Sequence, residues 1–119
     1  MILSRLEWFR LRYRLMVWLF RPYKYTRGFE DYEDFRRHFR KHKSKLSIKT
    51  EIEYARLADK LCGGPRDANT DEAIRVHDNA KLRYNNATNV FGVLRPDNVI
   101  GTCFWSNTGR RYYEDECQR

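Results

Sequence analysis

The segment HFRKH (38–42) places two imidazoles four residues apart, so a helix would carry both on one face. Metal sites use the same spacing. Here, however, the residues before the second histidine are Arg40 and Lys41, and cations beside a metal oppose its binding. A basic histidine segment suits proton transfer at a phosphate better. RNA is cut when its own ribose 2′-OH attacks the neighbouring phosphate. The protein then has to accept one proton, deliver another to the departing 5′-oxygen, and stabilise the added charge. Imidazole titrates near neutrality and suits the proton work, while Lys, Arg and hydroxyl groups suit the charge work. DNA lacks the attacking hydroxyl, so a metal-free site of this type selects RNA.

His42 is the first candidate for the acid–base role, with Lys41, Arg40 and His38 beside it. Downstream, Arg75, Lys81, Arg83, Tyr84 and Thr102 fall in strand-like runs. Lys81 and Arg83 are two apart and share a strand face, as would Arg75 and His77. Each residue also has a plainer reading. A histidine near a helix end is usually a solvated cation, a threonine in a strand is usually a β-former, and basic strand residues usually form a solvated face. No Walker loop, HExxH, GxSxG or paired-cysteine motif occurs, so no cofactor and no metal is implied.

These groups need elements to hold them. Residues 1–22 read as a basic amphipathic helix, with Leu3, Leu6, Phe9, Tyr13 and Val17 at helical spacing and Pro22 ending it. Its apolar run LMVWLF (15–20) is far short of the about 20 residues that span a bilayer. Packing on its own domain, or service as a linker, ranks ahead of a membrane role. YKYTRG (23–28) reads as a linker. Phe29 to Lys43 reads as a second helix, acidic at its start and basic at its end. Thr50 with Glu53 makes a capping box for a third helix over 51–61, which CGGPRD (62–67) stops.

The period then changes to two. Runs at 73–77, 81–84, 89–94 and 99–105 are separated by DNA, NNAT and RPDN, which carry turn chemistry. Connections this short predict an antiparallel meander. The expected fold is α+β, with N-terminal helices packed on a four-stranded antiparallel sheet, a core domain over 29–105, and a polar, frayed tail over 106–119.

Composition agrees with a polyanion partner. The 119 residues carry 24 Lys+Arg against 16 Asp+Glu, a net charge of +8. Residues 36–49 hold seven bases and no acid, whereas 67–119 are close to neutral. The three cysteines are widely spaced and odd in number, which argues against both a zinc site and a disulfide framework.

FRRHFRKHKSKLSIKTEIEYARLADKL followed by IRVHDNAKLRYNNATNVFGVLRPDNVIGTCF resembles the barnase–EndoU–colicin–RelE superfamily of ribonuclease toxin domains, nearest to colicin D-like and contact-dependent-inhibition toxin tips. The likeness covers about residues 29–105. It rests on a Lys-His helix end, a Glu-Tyr helix, a strand ending Arg-Tyr, a Phe-Gly-Val strand and a Gly-x-Thr-x-Phe strand. The resemblance implies helices packed on an antiparallel sheet with the catalytic groups in the cleft between them, and metal-independent cleavage of RNA, often tRNA. It also implies inhibition by a cognate immunity protein, expected to be acidic. Carried over by position, His42 is general acid or base with Lys41 beside it. Arg83 and Thr102 contact the phosphate, and Arg75 and Tyr84 are weaker contacts. Lys43 stands where the family often has Gly, and 105–119 have no counterpart. The resemblance further implies a delivered bacterial toxin acting in the target-cell cytoplasm; otherwise a cytoplasmic protein is expected. The competing readings are a basic domain that binds nucleic acid without chemistry, and a membrane- or partner-docking protein.

Overall fold

The computed structural model describes residues 2–119; Met1, the first residue of the predicted N-terminal helix segment, lies outside them. The chain runs α1 (Arg5–Phe20), α2 (Tyr32–His42), α3 (Glu51–Gly63), β1 (Thr70–Ile74), β2 (Lys81–Asn85), β3 (Val90–Leu94), β4 (Ile100–Trp105) and α4 (Arg110–Cys117). The strands form one antiparallel sheet in the order β1-β2-β3-β4, so the expected α+β fold with a four-stranded meander is the observed one.

Local signals set most of the boundaries. Ser4 caps α1 by accepting from the Glu7 amide, and Arg21 closes the helix in the left-handed region (φ 44) just before Pro22. Asp31 caps α2 through the Asp34 amide at 2.8 Å, which starts the helix at Tyr32 and leaves Phe29 outside it. Thr50 caps α3 through the Glu53 amide at 3.2 Å, as the capping box predicts.

Segment 23–28 is more than a linker. Buried Asp59 of α3 accepts hydrogen bonds from the amides of Lys24 and Thr26, both at 2.9 Å, and from the Thr26 hydroxyl at 2.7 Å. A carboxylate placed among backbone N–H groups holds the irregular chain against the helix, where an apolar residue would leave those donors unpaired.

The sheet separates two cores. On one face α2 and α3 pack Phe35, Tyr54, Ala58 and Cys62 against Val90, Ile100 and Cys103. Gly92 permits the close approach of α3, because a Cβ there would lie 2.7 Å from Cys62 Sγ. On the other face α4 packs Tyr113 against Leu82, Tyr84, Phe91 and Val93. This helix corrects the expectation of a frayed tail over 106–119. Tyr113 stacks on Tyr84, Glu116 is buried against Arg75, and Ser106 caps the preceding turn through the Gly109 carbonyl. These contacts are long-range, and a polar local sequence does not reveal them.

The first strand and the register of the last also differ from expectation. The first strand covers 70–74 rather than 73–77, because Asp67 fixes its start through Asn69 and Thr70 and the Arg75–Ala80 turn ends it. Arg75 and His77 therefore lie in the turn and not on a strand face. In β4, Leu94 pairs with Ile100 and Val93 with Thr102, so Gly101 is an extra residue in the strand. Simple alternation would place Ile100 with Thr102 and Phe104. The bulge instead turns Ile100 toward α2 and α3, with Cys103, and leaves Thr102 and Phe104 on the opposite face.

Candidate functional site

The sheet register decides which predicted residues can meet. Arg83 pairs with Gly92, and Gly92 with Cys103, so Arg83 faces α3. Leu82 pairs with Val93, and Val93 with Thr102, so Thr102 faces the other way. The expectation that Arg83 and Thr102 line one cleft with His42 is therefore corrected. Arg83 is 8% exposed, and its guanidinium is committed: Nε donates to Glu72 at 2.8 Å, and Nη1 donates to the carbonyls of Leu61 at 3.1 Å and Gly64 at 2.6 Å. It caps the end of α3. Burial raises the Glu72 carboxyl, but the hydrogen bond and charge of Arg83 outweigh that and hold it below its usual range.

The other downstream candidates are likewise engaged in the structure. Arg75 makes a two-point contact with Asp78, at 3.0 and 2.7 Å, and a third bond to Glu116 at 2.8 Å. Lys81 lies 3.8 Å from Glu72 on the α3 face. The Tyr84 hydroxyl donates to Asn89 inside the second core. None of the three reaches the histidines.

Thr102 does reach them, at the outer strand β4 where α2 lies. The imidazole it meets is that of His38, with Thr102 Oγ1 3.4 Å from His38 Nδ1. On the far side of the same ring, Nε2 is 3.5 Å from Asp34 Oδ1. A carboxylate at Nε2 favours the proton on that nitrogen, which leaves Nδ1 to accept from the threonine hydroxyl. Asp34, His38 and Thr102 thus form one polar line from α2 onto the sheet. Arg37 ion-pairs with the same Asp34 oxygen.

His42 sits one helical turn further on. Its ring stacks on His38, with centroids 5.8 Å apart, and on Phe104, 5.3 Å apart at 27°. Phe104 is in turn held edge-on by Tyr112 of α4, at 5.2 Å and 84°. Among the described residues no protein group hydrogen-bonds to either ring nitrogen of His42. Burial, then the neighbouring His38 and Lys41, push its pKa down to about 4, so the ring is neutral at pH 7. Burial lowers His38 as well; the Asp34 charge opposes this, Arg37 and Lys41 reinforce it, and the net shift is downward.

Lys41 is exposed on the flank of the two rings and, among the described residues, makes no ion pair. Arg40 and Lys41 both line a hollow beside α1 with Leu6, Tyr32 and Arg36; Lys41 also acts on both imidazoles, lowering their pKa, whereas Arg40 does not. The site the structure assembles is therefore His38, His42, Thr102 and Lys41, with Asp34 and Phe104 added. The Asp34-x-x-x-His38 spacing was readable as a helical pair. Phe104 had no signal beyond its position two residues after Thr102. Among the described residues no three His, Cys, Asp or Glu side chains converge as metal ligands, and all three cysteines are free thiols.

Comparison with protein-family models finds no match for this chain, and comparison with curated proteins finds none either.

Proposed function

We propose that this chain is a metal-independent endoribonuclease domain of the toxin type its sequence resembles, acting on RNA, with tRNA the first substrate to test. The observation that carries the reading is His42: a neutral imidazole with both nitrogens uncommitted, seated on Phe104, beside a second histidine braced between Asp34 and Thr102. An imidazole kept unprotonated at neutral pH accepts the 2′-OH proton. Lys41, without an acidic partner among the described residues, is the cation to meet the phosphate and offset the charge that grows as the 2′-oxygen bonds to phosphorus. His38 is the second proton carrier. Burial lowers its pKa overall, so the proton it delivers to the departing 5′-oxygen is one it takes up for the step, with Asp34 beside Nε2 steadying the charged form. Thr102 orients His38 through Nδ1 and can turn its hydroxyl to a phosphate oxygen. The products are a 2′,3′-cyclic phosphate and a free 5′-hydroxyl. Phe104 and Tyr112 offer aromatic surface beside the reacting groups, where an unstacked base can rest.

The experiment is incubation of total tRNA with the pure protein in EDTA, wild type beside His42→Ala, with the ends of the fragments identified. Wild type should yield cyclic phosphate ends. His42→Ala should lose about 10³-fold in rate, within the range for removal of a general base, while its circular dichroism stays that of wild type. Full-length RNA persisting with folded wild type would sink the reading. RNA bound but uncut would leave a binding domain only.

A further inference from the structure

Helix α1 is apolar on two sides, and the body of the protein uses only one. Phe9 stacks on Tyr32, Tyr13 packs on Tyr32 and Phe35, and the Tyr13 and Tyr23 hydroxyls are 2.7 Å apart. Phe9, Tyr13, Met16 and Val17 form this inner stripe and are half-buried. Trp8, Leu11, Leu15, Trp18 and Leu19 recur every three or four residues along the opposite side. There they are 55%, 39%, 47%, 68% and 60% exposed. An apolar stripe about 16 Å long, left open to water, marks an interaction surface rather than a solvated face.

Charge identifies the occupant. Arg5 and Arg12 border the stripe on one side, and Arg10, Arg14 and Arg21 on the other, against the single acid Glu7. Arg10 and Arg12 are tied to Glu33 and Glu51, while Arg5, Arg14 and Arg21 make no ion pair among the described residues. A second copy of the helix laid on this stripe would bring arginine against arginine. An anionic surface would meet arginine along both borders. The stripe is continuous with a hollow between α1 and the start of α3, which Leu15 and Leu19 line with Phe39 and Ile52. Its two indoles stand near its two ends, and neither N–H has a partner among the described residues. Indoles flanked by arginines fit the headgroup layer of a bilayer, with the leucines beneath them. No helix of the described residues is long and apolar enough to cross a membrane. We infer that α1 docks the protein, lying flat, on an anionic lipid surface through Trp8, Leu11, Leu15, Trp18 and Leu19. The inference rests on α1 alone and is independent of RNA cleavage.

The test uses the whole chain and no RNA. Vesicles of phosphatidylglycerol and phosphatidylcholine should co-sediment the protein and shift its tryptophan emission to the blue. Vesicles of phosphatidylcholine alone should bind it about tenfold less. The pair Trp8→Ser with Trp18→Ser, both at exposed positions, should weaken binding about tenfold with an unchanged circular dichroism spectrum. Arg14→Glu with Arg21→Glu should remove the preference for anionic lipid while leaving Trp8 and Trp18 in place. Failure to bind phosphatidylglycerol vesicles overturns the inference. So does binding that the double serine variant leaves unchanged, or a lipid-free dimer at sedimentation equilibrium that this variant dissolves.

Discussion

Two basic clusters that look alike in the sequence behave differently in the fold. Arg75, Lys81 and Arg83 gather at β2 and the turn before it, and each meets an acid: Asp78 and Glu116 for the first, Glu72 for the other two. Lys41 and His42 end α2 and meet none among the described residues, although Asp34 and Glu33 stand earlier on the same helix. A cation already bonded to carboxylates and carbonyls is part of the scaffold, and moving it to a ligand leaves its partners unpaired. A base held neutral by burial, with free nitrogens, can meet a ligand without breaking a bond of the fold. That difference, rather than charge itself, separates the two clusters.

Exchange of the buried member of the first cluster tests the distinction most strongly. Arg83→Ala should lower stability in urea by about 3 kcal/mol, because the carbonyls of Leu61 and Gly64 and the carboxylate of Glu72 all lose their donor. The protein that remains folded should cut RNA at the wild-type rate. Abolished cleavage with unchanged stability would reverse the assignment of the two clusters.

The pH dependence sharpens the contrast from the other side. His42 has a folded pKa of about 4 against an ordinary histidine value of 6.5. Between those values the unfolded chain binds more protons than the folded one, so stability rises with pH across that window. The contribution is complete above pH 6.5, declines as the pH falls, and is flat below about 4. His42 is partly exposed, so solvent screening reduces the loss to about 1 kcal/mol. Urea titrations of wild type at pH 7 and pH 4.5 should differ by more than those of His42→Phe by that amount. In the same protein the acid limb of kcat/KM should fall near pH 4, since it reports the free base. A limb at 6.5 would place the working base elsewhere.

Much of the fold was legible because its signals are local. Pro22, the Thr50–Glu53 box and the change of period after residue 67 each act within a few residues, and each marks a real boundary. What failed to show depends on contacts across the chain. Nothing near Asp59 announces that it holds segment 24–26, and nothing near Glu116 announces Arg75. The site was half legible for the same reason. Two histidines on one helix face were plain in the sequence. Which of them meets Thr102 depends on how α2 crosses β4 and on the bulge at Gly101, and neither leaves a trace in the pattern of apolar residues. Arg83 was misassigned because alternation along a strand gives the faces but not the element that covers each one.

The smallest expected effect concerns binding. Lys41 has no acidic partner among the described residues, whereas Arg95 is held between Glu30 and Asp97. A phosphate contact from Lys41 would release condensed counterions, and loss of one contact to single-stranded RNA lowers the slope of log affinity against log salt by about 0.7. Lys41→Gln should show that reduction when RNA is bound to His42→Ala, a background in which the RNA is not consumed. Arg95→Gln in the same background should leave the slope unchanged, because two carboxylates already neutralise its charge. Equal slopes for the two variants would mean that RNA reads the net charge of +8 rather than the free cation beside His42.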